Sequence, residues 1–349
     1  MPFLASLFVI LNQWIMNGIK LNKKPIFLLL LGYLQLGILA SVNAQTAALN
    51  NRDFNHLIPN KAVHSKTIQS KAKRSNQSAN IKPANIMTKL AFKADSGFIA
   101  IVVDINGIKA NAMIDTGAEY HVFNTAFLQK HQLGSLSKKT INVKGVLGIG
   151  AAPFVTGLNL TLLGQTDRNI KAIALDALSV DVIIGVGFFF NRLIQIDYPQ
   201  QTLRLLNPHK TPLKQVANLR LQAKGRLFLI DAYIQQNTRL SLVLDTGNNA
   251  GIVVSHALAA QANWISQYQI RTGQLKGVMQ ETKTFVLQIP NAQIGPFNLT
   301  NAIVHVPMQD DASNLNQGVH ADGLIGYEML KNFVITLDYS NKLGHIFAR

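Results

Sequence analysis

Two short acidic loops are the residues of this sequence best suited to chemistry. The tripeptide Asp-Thr-Gly occurs twice, beginning at Asp115 and at Asp245. Each aspartate follows an apolar run, residues 112–114 and 242–244, which predicts a buried strand ending at a carboxylate. One such tripeptide would be weak evidence, because short motifs recur by chance. Two in matching contexts predict a pair of carboxyl groups that meet and share one proton.

A shared proton gives such a pair a definite chemistry, the hydrolysis of an amide by water. One carboxylate takes a proton from the water while the other carboxyl group gives a proton to the carbonyl oxygen. Two carboxyl groups about 3 Å apart cannot both ionise, so one of their pKa values rises. The titration belongs to the pair, and the sequence does not assign acid and base between Asp115 and Asp245.

The elements that must position these loops are strands. From residue 96 onward, apolar runs are divided by Gly, Asn and Pro, which indicates a mostly β protein. Helical periodicity is confined to residues 124–131 and 255–262, each just after an Asp-Thr-Gly loop. We predict strands at residues 98–105, 110–114, 155–163, 182–184, 204–206, 227–234, 241–244, 284–289, 302–306 and 334–337.

An internal repeat relates the two loops. The segment from Asp181 to Gly185 matches the segment from Asp322 to Gly326, and both lie downstream of an Asp-Thr-Gly. Twelve residues beyond each of those glycines comes another aspartate, followed by tyrosine. The ordered matches predict two homologous lobes, residues 96–207 and 219–349, joined by a linker at 208–218. We interpret the later aspartates, Asp197 and Asp338, as turn-forming residues.

Each lobe resembles a retropepsin-type aspartic protease unit, and the pair resembles the bilobal, pepsin-like arrangement with a pseudo-twofold axis. The resemblance covers residues 96–349 and implies that Asp115 and Asp245 are catalytic. It implies supporting roles around the pair for Thr116, Gly117, Ala118, Thr246, Gly247 and Asn248. It implies a substrate-covering flap at Gly145, Val146, Leu147, Gly148, Ile149 and Gly150. It implies a structural brace behind the loops at Ile184, Gly185, Ile325 and Gly326.

This sequence departs from the family pattern near the loops. Asn248 stands where Ser, Thr or Ala is usual, and its amide would either hydrogen-bond the outer oxygen of Asp245 or crowd it. Glu119 adds a charge close to the pair. The first flap has no tyrosine, unlike that of pepsins, and residues 273–277 match the flap less well in the second lobe.

The resemblance implies an aspartic endopeptidase that hydrolyses extended polypeptide. Two alternatives stay open: an inactive pseudoprotease serving as an envelope peptide-binding module, and an enzyme whose lobes pair with those of another chain. No metal or cofactor is expected. The chain has no cysteine, which excludes disulfides and thiol catalysis. Its histidines form no zinc motif, and we interpret His121 and His256 as surface or structural residues.

The first 44 residues of the chain predict export. Residues 1–44 carry a basic segment, an apolar run at 26–40 and small residues ending at Ala44, as in a cleaved signal peptide whose start is Met1 or Met16. A retained membrane anchor is the alternative, and a periplasmic or envelope location follows from either. Residues 45–95 hold nine Lys and Arg against two Asp and read as a disordered basic linker that touches envelope or membrane weakly. We expect a monomer that binds polypeptide and no nucleic acid.

Overall fold

The computed structural model describes residues 86–94, 97–145, 148–176, 178–211, 213–268, 270–276, 281–308 and 321–348. All of them belong to one compact unit, Gln69–Arg349. The predicted signal peptide and most of the predicted linker lie outside the described residues. Among the described residues, no helix is long and apolar enough to cross a membrane.

The described residues form mostly strands, which confirms the predicted class. The strands up to the interlobe connection are β1 (Ile86–Ala91), β2 (Ile99–Ile105), β3 (Ile108–Ile114), β4 (His121–Asn124), β5 (Ser135–Gly145), β6 (Gly148–Thr156), β7 (Leu160–Leu162), β8 (Gln165–Asp167), β9 (Ala172–Leu175), β10 (Val182–Ile184), β11 (Leu193–Asp197) and β12 (Thr202–Leu206). Those after it are β13 (Leu219–Arg220), β14 (Gln222–Lys224), β15 (Leu227–Ile234), β16 (Thr238–Leu244), β17 (Ile252–Val254), β18 (Ile270–Lys276), β19 (Glu281–Ile294), β20 (Phe297–Pro307), β21 (Gly323–Ile325), β22 (Phe333–Asp338) and β23 (Leu343–Ala348).

Helices are few and short. They are α1 (Thr125–Lys130), α2 (Leu213–Val216), α3 (His256–Gln261), α4 (Trp264–Gln267) and α5 (Tyr327–Leu330), with a 3-10 turn at Val186–Phe189. The helices predicted at 124–131 and 255–262 are confirmed as α1 and α3. Each begins at a polar cap whose side chain accepts from a backbone N–H, Asn124 for α1 and Ser255 for α3.

Each lobe is built on its own sheet, and the two sheets share a central arrangement. The nine-stranded sheet of lobe one has the order β5-β6-β9-β4-β10-β3-β2-β7-β8. The eight-stranded sheet of lobe two has the order β14-β15-β16-β21-β17-β20-β19-β18. In lobe one β10 runs parallel to β3, and in lobe two β21 runs parallel to β16. The strand before each Asp-Thr-Gly therefore has a parallel partner from the downstream half of its repeat.

A third sheet, of six strands, joins the lobes in the order β1-β12-β11-β22-β23-β13. Its middle pair is antiparallel, with Gln195 of β11 opposite Thr336 of β22. Three strands from the N-terminal half, β1, β12 and β11, thus lie beside three from the C-terminal half, β22, β23 and β13, in mirrored order. This symmetry fixes the pseudo-twofold axis between β11 and β22.

The folded region begins earlier than predicted. The linker predicted to end at residue 95 is wrong over Ile86–Ala91, which form β1 and pair with β12. The strand has only a half-buried alternating face, and Met87 is exposed on the other. Such a short edge strand carries too little apolar signal to stand out from a polar linker. The strand predicted over 155–163 is also divided, because Gly157 turns the chain at a φ of 78°.

Candidate active site

Each Asp-Thr-Gly loop is held from behind by a brace strand. The backbone N–H of Asp115 donates to the carbonyl of Ile184 at 3.0 Å, and that of Asp245 donates to Ile325 at 3.0 Å. Both isoleucine side chains are fully buried. The aspartates therefore leave the ends of two strands that cannot shift without breaking buried packing.

The brace glycines are needed because the loops pass directly over them. A Cβ atom at Gly185 would meet the backbone oxygens of Ala118 and Tyr120. A Cβ atom at Gly326 would meet the backbone oxygen and the side chain of Asn248. The structure thus brings all four predicted brace residues behind the two loops.

The threonines of the two loops bond across the lobe boundary. The Thr116 hydroxyl donates to the carbonyl of Leu244 at 2.6 Å, and the Thr246 hydroxyl donates to that of Ile114 at 2.9 Å. Each threonine N–H also donates to the other threonine's hydroxyl, at 3.1 Å in both directions. Four buried hydrogen bonds of Thr116 and Thr246, here called the threonine lattice, therefore fix the distance and angle between the loops.

This lattice brings the two carboxyl groups together, and the side chains of Asp115 and Asp245 hydrogen-bond each other. Asp245 is buried and Asp115 is half-buried. The Gly117 N–H donates to Asp115 Oδ1 at 2.8 Å, and the Gly247 N–H donates to Asp245 Oδ1 at 2.9 Å. Two carboxyl groups in hydrogen-bond contact require a proton between them.

Burial and mutual contact shift both carboxyl groups toward the protonated form. Burial raises the pKa of Asp115, while hydrogen bonds from Asp245 and the backbone of Gly117 partly oppose that rise. Burial, the charge of Asp115 and the hydrogen bond with it raise the pKa of Asp245 well above its ordinary value. The pair therefore holds one proton over a wider pH range than two isolated carboxyl groups would.

The loop glycines lie against the opposite lobe's carboxyl group. A Cβ atom at Gly117 would lie 2.6 Å from Cγ of Asp245, and one at Gly247 would collide with the carboxyl group of Asp115. Neither position has room for a side chain while the carboxyl groups remain in contact. The spacing of the acidic pair thus requires glycine at both positions.

Asn248 is buried and turned into its own loop. Its Oδ1 accepts from the N–H of Ala250 at 3.0 Å, and its Nδ2 donates to the carbonyl of Gly251 at 3.5 Å. Its backbone N–H supports the carboxylate of Asp245. Both side-chain bonds stay inside the loop, so the amide neither takes the outer oxygen of Asp245 nor displaces that carboxyl group. Ala118 is held by the N–H of Val186, which donates to its carbonyl at 2.8 Å.

The predicted flap of lobe one is the end of the β5–β6 hairpin. Gly145 pairs with Gly148, and Val143 pairs with Gly150. Val146 and Leu147 lie outside the described residues. In lobe two, β18 and β19 form a hairpin that reaches Lys276 opposite Glu281, so Gly273 is part of a regular strand there.

Two pairs of residues that recur in the sequence repeat lie around the site, although the sequence analysis assigned them no role there. Asp181 Oδ2 accepts from the N–H of Asn111 at 2.8 Å, and Asp322 Oδ2 accepts from that of Ser241 at 2.7 Å, which ties each brace to the middle of its aspartate strand. Tyr198 and Tyr339 are buried, and burial raises the pKa of both hydroxyl groups, with a smaller contribution from the charge of Asp245. Their recurrence in the repeat was the available signal.

Other predicted residues have structural surroundings. Asp197 and Asp338 each accept a backbone N–H three residues ahead, which confirms their turn-forming role. His121 is buried, so the prediction that it could be a surface residue is wrong. His256 Nδ1 lies 3.1 Å from the carbonyl oxygen of Pro307. In the described part of the chain, no group of three His, Asp or Glu side chains is placed to hold a metal ion.

Comparisons with known proteins agree with this geometry. Residues 101–191 match the family model described as "gag-polyprotein putative aspartyl protease", a segment that includes the Asp115 loop and the Gly185 brace. A retropepsin-like aspartic protease from Rickettsia conorii is 22% identical over 34% of this chain and 89% of its own, with a TM-score of 0.27. No curated protein matches the sequence. The matched segment and the loop geometry support the resemblance to the retropepsin-like aspartic protease family that the sequence indicated.

Proposed function

We propose that this protein is an aspartic endopeptidase that hydrolyses peptide bonds with a water molecule activated by Asp115 and Asp245. The observation that carries the proposal is the hydrogen bond between these two carboxyl groups, one from each lobe. A pair that shares one proton supplies a base for water and an acid for the scissile carbonyl in one step. The tetrahedral intermediate then collapses as its nitrogen leaves with a proton.

The surroundings of the pair suit an extended peptide. A buried apolar cluster has partly buried neighbours on both the Asp115 loop and the β5–β6 hairpin, with Ala118 on the loop and Ile141 and Val143 on the hairpin. An extended peptide can pair its backbone with such a hairpin and place alternate side chains in apolar pockets. We therefore propose that apolar residues flank the cleaved bond.

Export is the second part of the proposal and rests on residues 1–44. A cleaved signal peptide would leave a mature chain that begins at Gln45, whereas a retained anchor would leave the N-terminus uncut. N-terminal sequencing of the mature protein tests this directly. Sequencing a cleavage-blocked precursor distinguishes a start at Met16 from one at Met1. We further propose that the mature enzyme is a monomer in the periplasm or envelope.

The activity is tested by incubating the full chain with a peptide library across pH and identifying the products by mass spectrometry. The proposal predicts internal cleavage next to apolar residues by the natural protein, and none by the Asp115→Asn variant. Peptide binding that persists in both proteins without any cleavage would contradict the enzyme and support a peptide-binding module instead. A mass in solution twice that of one chain would contradict the monomer.

A further inference from the structure

A polar cavity of about 470 Å³ lies beside the Asp115 loop and is not used by the proposed hydrolysis. Its volume is within the range of small-molecule sites. Lobe two contributes Arg226 to its wall, and the ionisable residues of lobe one that line it are Glu119, His121, Asp167, Arg168 and Lys171. The cavity therefore combines charged groups from both lobes.

The charge left unpaired in this cavity is positive. Arg192 neutralises Asp167 through two bonds, Nη2 to Oδ1 at 2.5 Å and Nη1 to Oδ2 at 3.0 Å. The ion pairs found among the described residues do not include Arg168, Lys171 or Arg226. Three cations thus face the single carboxylate of Glu119. Such an arrangement attracts anions.

Arg226 is held in place by three contacts. Its Nε donates to the backbone oxygen of Glu119 at 3.0 Å. Its guanidinium carbon lies 5.8 Å from the ring centre of Tyr120 and 5.6 Å from that of Phe190. A guanidinium fixed in this way loses little conformational freedom when its remaining N–H groups bind a ligand.

Gly187 marks the space that a ligand would fill. A Cβ atom at this position would lie 3.2 Å from His121 Nε2 and 3.6 Å from Arg226 Nη2. The two nitrogens therefore approach one point, which is open because residue 187 has no side chain. His121 is 4% exposed, and in the described part of the chain its Nδ1 has no hydrogen-bond partner. The ring nitrogen beside the open point is Nε2, and it is the His121 atom that a ligand there would contact.

We propose that this cavity is an oxyanion-binding site, which takes a carboxylate or phosphate group between Arg226, His121 and Lys171. The fork of Arg226 fits two oxygens of such a group. Burial lowers the pKa of His121 to about 4, so its imidazole is neutral near pH 7 and offers one N–H. Lys171 reaches the rim over the rings of Tyr120 and Phe154, at 5.1 and 5.4 Å from their centres.

Two sources could supply the oxyanion. Tyr120 and Phe154 also belong to the apolar cluster beneath the flap hairpin, so the cavity adjoins the proposed peptide cleft. The group is therefore either a free anion or an acidic side chain of the peptide substrate. The second source rests on the proposed function, whereas anion binding itself does not.

Isothermal titration of the full chain with inorganic phosphate tests the site. Saturable binding is expected, weakened about tenfold or more in Lys171→Gln, since a charge-assisted hydrogen bond is lost. Gly187→Ala should weaken it similarly by filling the space without changing charge. Lys130→Gln removes an exposed cation on α1 and should leave binding unchanged. Absence of saturable binding, or an equal loss in Lys130→Gln, would overturn the proposal.

The source is identified with peptide pairs that differ only by Glu or Gln at one position. If the substrate supplies the oxyanion, the peptide with Glu at one position has a lower KM than its Gln counterpart. Phosphate then competes with the Glu peptide, and Lys171→Gln removes the preference for Glu over Gln. If the ligand is a free anion, phosphate binds and KM is the same for both peptides. Either result supports the site. Phosphate binding is measured without cleavage, so failure of the proteolytic function would leave this inference standing, and the reverse also holds.

Discussion

At the scale of single residues, the contact between the two carboxyl groups lowers the stability of the folded protein. Asp245 is buried and Asp115 half-buried, and the charge of Asp115 acts on Asp245. Near neutral pH such an arrangement opposes folding, because the unfolded chain would ionise both groups freely. Active sites commonly carry this kind of strain.

Replacement of Asp245 by Asn is therefore expected to stabilise the fold at pH 7. Raised pKa values mean that the unfolded state loses its protons first, so wild-type stability falls as pH rises from the ordinary value of 3.8 through the raised values. The Asp245→Asn variant has no carboxyl group at this position, so it avoids that group's contribution to the fall in stability. Its melting temperature should exceed that of the wild type at pH 7, and the two should converge below about pH 4. A rise of about 2–4 °C would correspond to about 1 kcal/mol in a protein of this size. A variant that is less stable at pH 7, or a difference independent of pH, would contradict this.

The loop glycines give a second residue-scale prediction. In Gly117→Ala the added carbon would lie 2.6 Å from Cγ of Asp245, so the carboxyl groups must separate. Because small misplacements of reacting groups are costly, we expect kcat to fall about 10²-fold. Gly107→Ala is the control, since nothing lies within 4 Å of the added atom, although its φ of 89° makes the variant slightly less stable. Full activity in Gly117→Ala would show that the contact is not needed.

At the scale of secondary-structure elements, buried hydrogen bonds join the end of β3 to the end of β16. The threonine lattice links each loop to the strand end of the other lobe. Its hydrogen bonds are buried, so a missing partner leaves a polar group with no access to water.

Thr116→Val and Thr246→Val should each destabilise the protein. Valine keeps the shape of threonine but leaves a buried N–H and a buried carbonyl unpaired, at about 1–3 kcal/mol for each group. Denaturant unfolding gives the free energy, and the double variant should cost less than the sum because the bonds are shared. Thr140→Val, on the exposed side of β5, should change stability by no more than about 0.5 kcal/mol. A loss at Thr116 no larger than that control would contradict the role assigned to the lattice.

At the scale of the whole molecule, the six-stranded sheet unites the lobes through a buried polar network. Arg204 Nη2 lies 2.8 Å from Asp197 Oδ2, and both residues are buried. Arg204 Nη1 donates to Gln195 at 2.6 Å, and Gln195 donates to Thr336 of lobe two at 3.0 Å. The chain of contacts thus crosses the pseudo-twofold axis.

Arg204→Met should therefore destabilise both lobes together, by about 3–5 kcal/mol, because it removes the cation that pairs with the buried carboxylate of Asp197. Unfolding is expected to remain a single transition at a lower denaturant midpoint. Arg239→Met breaks the exposed pair with Asp231 and should have little effect. Equal effects of the two substitutions would show that the network does not join the lobes.

Much of this architecture was predictable from the sequence, because it depends on repeated local signals. Two features recur with matching spacing: the apolar strands that end at Asp-Thr-Gly, and the brace glycines Gly185 and Gly326. The six-stranded sheet was not predictable, since β1 is short, half-buried and far in sequence from its partner β12. The same holds for the buried Arg204 and the unpaired nitrogen of His121. Their environment is made by tertiary contacts that leave no periodic pattern.

The central claim is that Asp115 and Asp245 act as one catalytic unit, and the most direct test is kcat/KM for a cleaved peptide in each single Asn variant. Asp115→Asn and Asp245→Asn should each reduce kcat/KM by about 10³-fold or more, because either change removes the shared-proton pair. Asp231→Asn, which alters an aspartate of the exposed pair with Arg239, should retain wild-type activity. Wild-type activity in either Asp115→Asn or Asp245→Asn would contradict the account.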